Sequence, residues 1–281
     1  MPGTFRPNVA LDELRSKHEQ FKGQLWNERS LSELVEEFER TYGDLLVSPL
    51  ELKAPEFGCT TLHRARWLDT KRENIADPVT YSYPRQMDQQ VLGRANLPGS
   101  PVFYTCGSAE SSLNEARKPE EGKELFHSEW RFNDDLPWKV IPMISLQRMA
   151  QKGLPFHDRW EEAFRETILK SEVPEDLFLL YYECMMDLFQ LEDHTVPAWM
   201  ADRIMNQKKL ADVLLYPSLM TGATTLCHAF KTTPIDAGRI VLHRVTRLSN
   251  ADPSAAPSAI GIPVNGRIDW RSLDDRLRKS A

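Results

Sequence analysis

Leu92–Arg117, LGRANLPGSPVFYTCGSAESSLNEAR, decides how this chain reads. It passes from a polar loop through a turn and an aromatic strand into a short helix. Pro98 suits the first central position of a β-turn, and Gly99 behind it is free to take positive φ. Val102, Phe103, Tyr104 and Thr105 are β-branched or aromatic and predict a strand. Gly107-Ser108 breaks it, and the Ser108 hydroxyl can accept from the free N–H groups of a helix over about 109–117. On that helix Ala109, Leu113 and Ala116 share one apolar face, and Glu115 lies well off it. Spacing alone favours a solvated surface glutamate. The other reading is a carboxylate free to face a cleft, and residues elsewhere must decide.

Working outward, the 281 residues suit one large domain, or one domain with additions, and can bury a sizeable core. A net charge of −6 argues against a general binder of nucleic acid or anionic membrane, while leaving room for a local basic site. No apolar run approaches the length of a membrane span, and the start, MPGTFRPNVALDE, lacks the basic-then-apolar plan of a signal peptide. The expectation is a cytoplasmic protein. Cys59, Cys106, Cys184 and Cys227 form no CxxC pair and read as reduced packing residues. The histidines show no HExxH-type spacing, so no metal is expected.

Before the central stretch, residues 1–10 read as a loose tail. Leu11, Leu14, His18, Phe21 and Leu25 mark one helix. Ser30 with Glu33 is a capping box for a second, whose apolar face is Leu31, Leu34, Val35, Phe38 and Tyr42 and which Gly43 can close. This hairpin either covers the core, the favoured reading, or meets a dimer mate or partner. Residues 47–58 read as a loop. Cys59–Trp67 reads as a strand with Leu62, Arg64 and Arg66 on one face and His63 on the other. Two arginines on one face suit a charged edge strand, or a phosphate-binding face. Pro78, Tyr81, Tyr83 and Pro84 mark an aromatic loop that lines a pocket or simply packs.

After the central stretch, residues 119–153 predict one or two strands. Helices follow at Phe156–Lys170, Pro174–Leu191 and Pro197–Lys208, the second apolar nearly all round and therefore buried. Val213–Tyr216 reads as a buried strand ending at Pro217, with Ser218 just past it. Leu226–Phe230 is a short packing element, Arg239–Leu248 a strand, 249–258 a flexible link, and the segment from Asp269 a short charged helix.

Four separated pieces, HRAR at 63–66, GRAN at 93–96, VFYTCGSAESSLNE at 102–115 and LLYPS at 214–218, occur in an order that resembles the RES-domain family, named for an arginine, a glutamate and a serine. The resemblance covers about Arg64 to Lys231. It implies an α+β fold like that of ADP-ribosyltransferases, with a compact mixed or antiparallel sheet. Here that sheet would carry an N-terminal helical hairpin (1–50) and a helical layer inserted at about 120–200 of a catalytic domain spanning 59–248. Residues 249–281 would be linker and tail. It implies an enzyme that cleaves the nicotinamide–ribose bond of NAD⁺, with NAD⁺ as substrate and no cofactor, as in toxins of bacterial toxin–antitoxin systems. Protein ADP-ribosylation is the alternative, and an inactive partner-binding protein the second. Carried over by position, the catalytic residues are Arg64, Glu115 and Ser218, with Arg66 the rival arginine. Arg66, Arg94, Asn96 and Tyr104 would hold NAD⁺. The partners implied are NAD⁺, an antitoxin and a possible second copy, not nucleic acid or membrane. Ala95 stands where the family often has Trp. Independently, the chain lacks GxGxxG, so NAD⁺ would be substrate and not a hydride carrier. Ser218 has no His/Asp relay in sequence, which argues against a hydrolase triad.

Overall fold

A computed structural model describes residues 11–45, 47, 49–85, 91–116, 120–145, 147–148, 151, 156–171, 173–218, 220, 225–248 and 257–273. The expected N-terminal tail and most of the 249–258 link lie outside them. Among the described residues the chain is mixed α+β, and no helix is long and apolar enough to cross a membrane. It divides into two compact units, each assembled from separated segments: 1–51, 86–100 and 138–214, and then 52–85, 101–137 and 215–281.

The first unit is mainly helical. Helices α1 (Leu11–Lys22) and α2 (Leu31–Tyr42) form the expected hairpin, and Ser30 and Glu33 complete a reciprocal capping box. Gly43 ends α2 at φ 83°, a conformation glycine takes without a Cβ penalty. Phe21 packs edge-on against Phe38 and Tyr42, and Tyr42 against Tyr181. The hairpin therefore covers this unit's core, although Leu25 stays 62% exposed at its connection. Past Leu50, where β1 (Leu50–Leu52) begins, the helices α4 (His157–Ser171), α5 (Glu175–Phe189) and α6 (Thr195–Asp202) supply most of the rest. Nine residues of α5 are buried, as its all-round apolarity predicts. Strand β5 (Trp138–Pro142) lies between β1 and the start of β6 (Val213–Pro217).

The second unit is an antiparallel sheet. From the end of β6 the order is β7 (Leu226–Phe230), β3 (Phe103–Cys106), β2 (Thr61–Leu68), β4 (Glu124–Phe132), β8 (Ile240–Leu248), β9 (Pro257–Val264) and β10 (Arg267–Ser272). Its helices are α3 (Ala109–Glu115) and the short α7 (Thr232–Asp236). Three expectations are corrected here. The arginine-bearing strand β2 is not an edge: it lies between β3 and β4, pairing with β4 along its whole length. Residues 257–272, expected as linker, tail and charged helix, form the hairpin β9–β10, in which Trp270 lies opposite Gly261. Residues 124–132, inside the helical layer's bounds of about 120–200 but within the 119–153 stretch read as one or two strands, form a central strand.

Candidate active site

Strand β3 pairs with β7 in the register Phe103↔Phe230 to Cys106↔Cys227. Beyond it the Ser108 hydroxyl accepts from the Ser111 N–H at 3.2 Å and caps α3. The buried residues of α3 are Ser111, Ser112 and Leu113, so its inner face is largely hydroxyl. Ser111 shares a hydrogen bond with Ser108 at 2.7 Å and Ser112 donates to the Ala109 carbonyl at 2.8 Å, which lets both be buried. The Trp67 indole donates to the Ala116 carbonyl at 2.6 Å and ties the helix end to β2.

At that end stands Glu115. Its side chain reaches solvent, yet the Ser218 hydroxyl donates to Oε1 at 2.5 Å, and Ser218 is 1% exposed. A charge-assisted O–H···O⁻ bond of this length is strong. Ser218 is itself fixed by donating its N–H to the Thr225 carbonyl at 2.9 Å. The Cys227 thiol lies 4.0 Å from the same Glu115 oxygen. Tyr216 faces this group too. Burial, then the neighbouring Cys227, Tyr104, Cys106 and Glu115, hold its phenol well above the ordinary range, so it stays a neutral donor. The sequence marks Tyr216 only as part of a buried strand.

Arg64 reaches this region from β2. Its Nη1 donates to the Tyr104 carbonyl at 2.9 Å, and its guanidinium carbon stands 5.8 Å from the Phe103 ring centre. Its Nε is enclosed and has no hydrogen-bond partner among the described residues, and no carboxylate there forms an ion pair with it. Burial, then the charge of Arg66, pulls the guanidinium down to about 9, which leaves it cationic at neutral pH. Arg66 is committed elsewhere, to the Thr80 carbonyl at 2.6 Å and to Glu73 at 3.3 Å. Arg64, Tyr104, Glu115 and Ser218 thus all belong to the second unit.

Arg94 and Asn96 belong to the first. Arg94 donates to the Phe189 and Leu191 carbonyls, at 2.9 and 3.2 Å, and satisfies the C-terminal end of α5. Asn96 donates to the Val91 and Leu97 carbonyls and closes its own turn, in which Gly99 takes φ 79°. These contacts give both residues a structural role.

Among the described residues, two groups of potential metal ligands come together from distant segments, His63/His127/Glu129 and His18/Glu19/Asp187. In the first the rings are nearly parallel and His63 Nδ1 meets His127 Nε2 at 3.2 Å, while Glu129 pairs with Arg244. In the second His18 bridges Tyr42 at 2.7 Å and Asp187 at 3.0 Å. Both arrangements satisfy their groups with protein partners. The aromatic loop both packs and lines a pocket: Tyr81 is buried, and Pro78 and Tyr83 border a cavity of about 490 Å³ with Trp130, Ile240 and Leu242.

The chain matches no family model, and no curated protein is significantly similar to it.

Proposed function

We propose that the second unit is a RES-type catalytic domain that cleaves the nicotinamide–ribose bond of NAD⁺. The observation that carries this reading is the hydrogen bond from Ser218 to Glu115, in a unit that also encloses Arg64, whose Nε has no hydrogen-bond partner among the described residues. A carboxylate in reach of solvent and an enclosed cation with no counter-ion among the described residues suit a substrate that is a pyrophosphate at one end and a positively charged leaving group at the other.

In the reaction the bond between ribose C1 and the nicotinamide nitrogen breaks, and its electron pair neutralises the pyridinium. The positive charge left on the sugar is oxocarbenium-like, and Glu115 stabilises it as carboxylates do in glycoside cleavage. Ser218 holds Oε1 and leaves Oε2 for the sugar. Arg64 neutralises a pyrophosphate oxygen. Tyr104 stacks on nicotinamide or its ribose. Water adds at C1 and gives up its proton to Glu115 or solvent, so the products are ADP-ribose, nicotinamide and a proton. Phosphate in place of water gives the phosphorylated product. In this reading the fold is of the ADP-ribosyltransferase kind, α4–α6 are an inserted helical layer, and the cellular role is that of a cytoplasmic NAD⁺-depleting toxin countered by an antitoxin.

The test is to incubate the pure protein with NAD⁺ and follow nicotinamide and ADP-ribose, with and without phosphate or cell extract. Nicotinamide release without extract is the expected result. Label passed only to an extract protein identifies a protein ADP-ribosyltransferase, and no turnover under any condition overturns the proposal in favour of a partner-binding protein.

A further inference from the structure

Beneath Glu115 lies a chemical group that the proposed reaction does not use. Cys106 on β3 and Cys227 on β7 are directly opposite each other, both thiols are buried, and their sulfurs are 2.8 Å apart. The next pair along, Gly107 and Leu226, is joined by a backbone hydrogen bond, Gly107 N–H to Leu226 carbonyl at 3.2 Å. Hydrogen-bonded and non-hydrogen-bonded pairs alternate along an antiparallel ladder, so Cys106/Cys227 is a non-hydrogen-bonded pair, where Cα atoms approach to about 4.5 Å and side chains are closest. That separation lies within the range of about 4.4–6.8 Å that a disulfide spans. The other thiols, Cys59 and Cys184, have no cysteine partner.

We propose that Cys106 and Cys227 are a reversible oxidation site, joined by peroxide into a disulfide under Glu115, and that closing this bond slows the reaction at the carboxylate. The linkage itself is independent of the proposed NAD⁺ cleavage; only its effect on rate rests on that reading. Glu115 is exposed and its Oε1 lies 4.0 Å from the Cys227 sulfur, so a small oxidant comes to the thiol from the Glu115 side. The Cys227 sulfur attacks a peroxide oxygen as its proton passes to Glu115, 4.0 Å away, giving a sulfenic acid and hydroxide. The hydroxide takes that proton back as water. Cys106 then attacks the Cys227 sulfur and expels a second hydroxide, which leaves as water with the Cys106 proton. Two thiols and one peroxide become one disulfide and two waters. The hydrogen bond with Cys106, then burial and the neighbouring carboxylate, keep the Cys227 thiol protonated, so closure is slow and responds to sustained oxidant. Once closed, Cys227 has no proton to offer Glu115 and its sulfur has moved toward Cys106. Glu115 then keeps only the Ser218 donor of the two.

The full-length chain is treated with excess hydrogen peroxide, free thiols are alkylated, and digested peptides are identified by mass. The expected result is a Cys106–Cys227 linked peptide, loss of two hydrogens in intact mass, reversal by dithiothreitol, and Cys59 and Cys184 recovered as alkylated thiols. In the same samples nicotinamide release falls about fivefold on oxidation, as removal of one weak donor to a charged group predicts. In Cys106→Ser peroxide no longer produces a reversible fall. Oxidation to sulfinic acid without the linkage, or thiols untouched by peroxide, overturns the site. A linked protein that releases nicotinamide at the reduced protein's rate overturns the coupling to Glu115. Absence of turnover in both forms counts against NAD⁺ cleavage and leaves the linked peptide to decide the site.

Discussion

Glu115 and Arg64 do different work in the proposed reaction, and their variants separate it. Glu115 faces charge that exists only as the glycosidic bond breaks, so Glu115→Gln removes transition-state stabilisation: kcat falls on the order of 10²-fold or more with KM little changed. Turnover by Glu115→Gln at the parent rate would sink the assignment. Arg64 meets phosphate oxygens whose charge is the same before and during bond breaking. Arg64→Ala therefore acts through binding, with KM rising on the order of tenfold or more and kcat largely kept. The unreactive Glu115→Gln protein supplies the direct check. NAD⁺ should raise its melting temperature, because a ligand bound only by the folded state stabilises it, and the added Arg64→Ala change should abolish that rise. Arg66 offers the contrast, since its donors are already engaged by Thr80 and Glu73. Its loss should loosen the 70–81 loop more than it weakens binding.

At the level of elements, the hairpin β9–β10 holds its register by a close approach. A Cβ placed on Gly261 would stand 2.4 Å from Ile268 Cγ2 and 3.2 Å from the Trp270 ring. The Ile268 methyl branches directly from its own Cβ and is 5% exposed at the residue level, so it has little freedom to yield. Gly261→Ala should cost about 1–3 kcal/mol, as overpacking does, read as a lower urea midpoint; an unchanged midpoint would show that the hairpin shifts freely. Trp270 also donates to the Ile75 carbonyl at 3.1 Å, and Ile268 donates its N–H to the Ala76 carbonyl at 2.8 Å. The hairpin thus clasps the 70–81 loop that occupies Arg66, and displacing it should perturb that loop first.

For the molecule as a whole, acid should act in two windows. In the second unit burial brings His127 and His228 down to about 4, against an ordinary value of 6.5. The unfolded chain takes up these protons at a pH where the folded one does not. Stability is therefore full above about 6.5 and is lost as pH falls from there to about 4. In the first unit the hydrogen bond from His18, and behind it Lys22, lower Asp187 to about 2 from 3.8. Its contribution is present above about 4 and is lost as pH falls through about 2. Urea midpoints at pH 7.5, 5.5 and 4.5 should decline, and His127→Gln should decline less; a flat series for the parent protein would contradict the buried neutral histidines.

Short-range chemistry was legible in the residues. The Ser30/Glu33 capping box, the Ser108 cap, the Gly99 turn and the all-round apolarity of Glu175–Phe189 depend on neighbours within a turn or two, and those neighbours are adjacent in the chain. The pieces carrying Arg64, Glu115 and Ser218 can likewise be picked out along the chain, which says nothing of whom these residues meet. Their partners were not legible. Glu115 lies at a helix position that spacing assigns to the surface, and the Ser218 hydroxyl that donates to its carboxylate comes from 103 positions away. Arg64 and Arg66 are equivalent on a strand face until Thr80 and Glu73 engage one of them. Strand β2 reads as a charged edge until β3 and β4 pair on either side, and 257–272 reads as tail until each half pairs with the other. Local propensity sets which backbone a segment adopts. Which side chains meet, and which donor is left without a protein partner, is set by pairing between strands far apart in the chain, and only the folded sheet decides it.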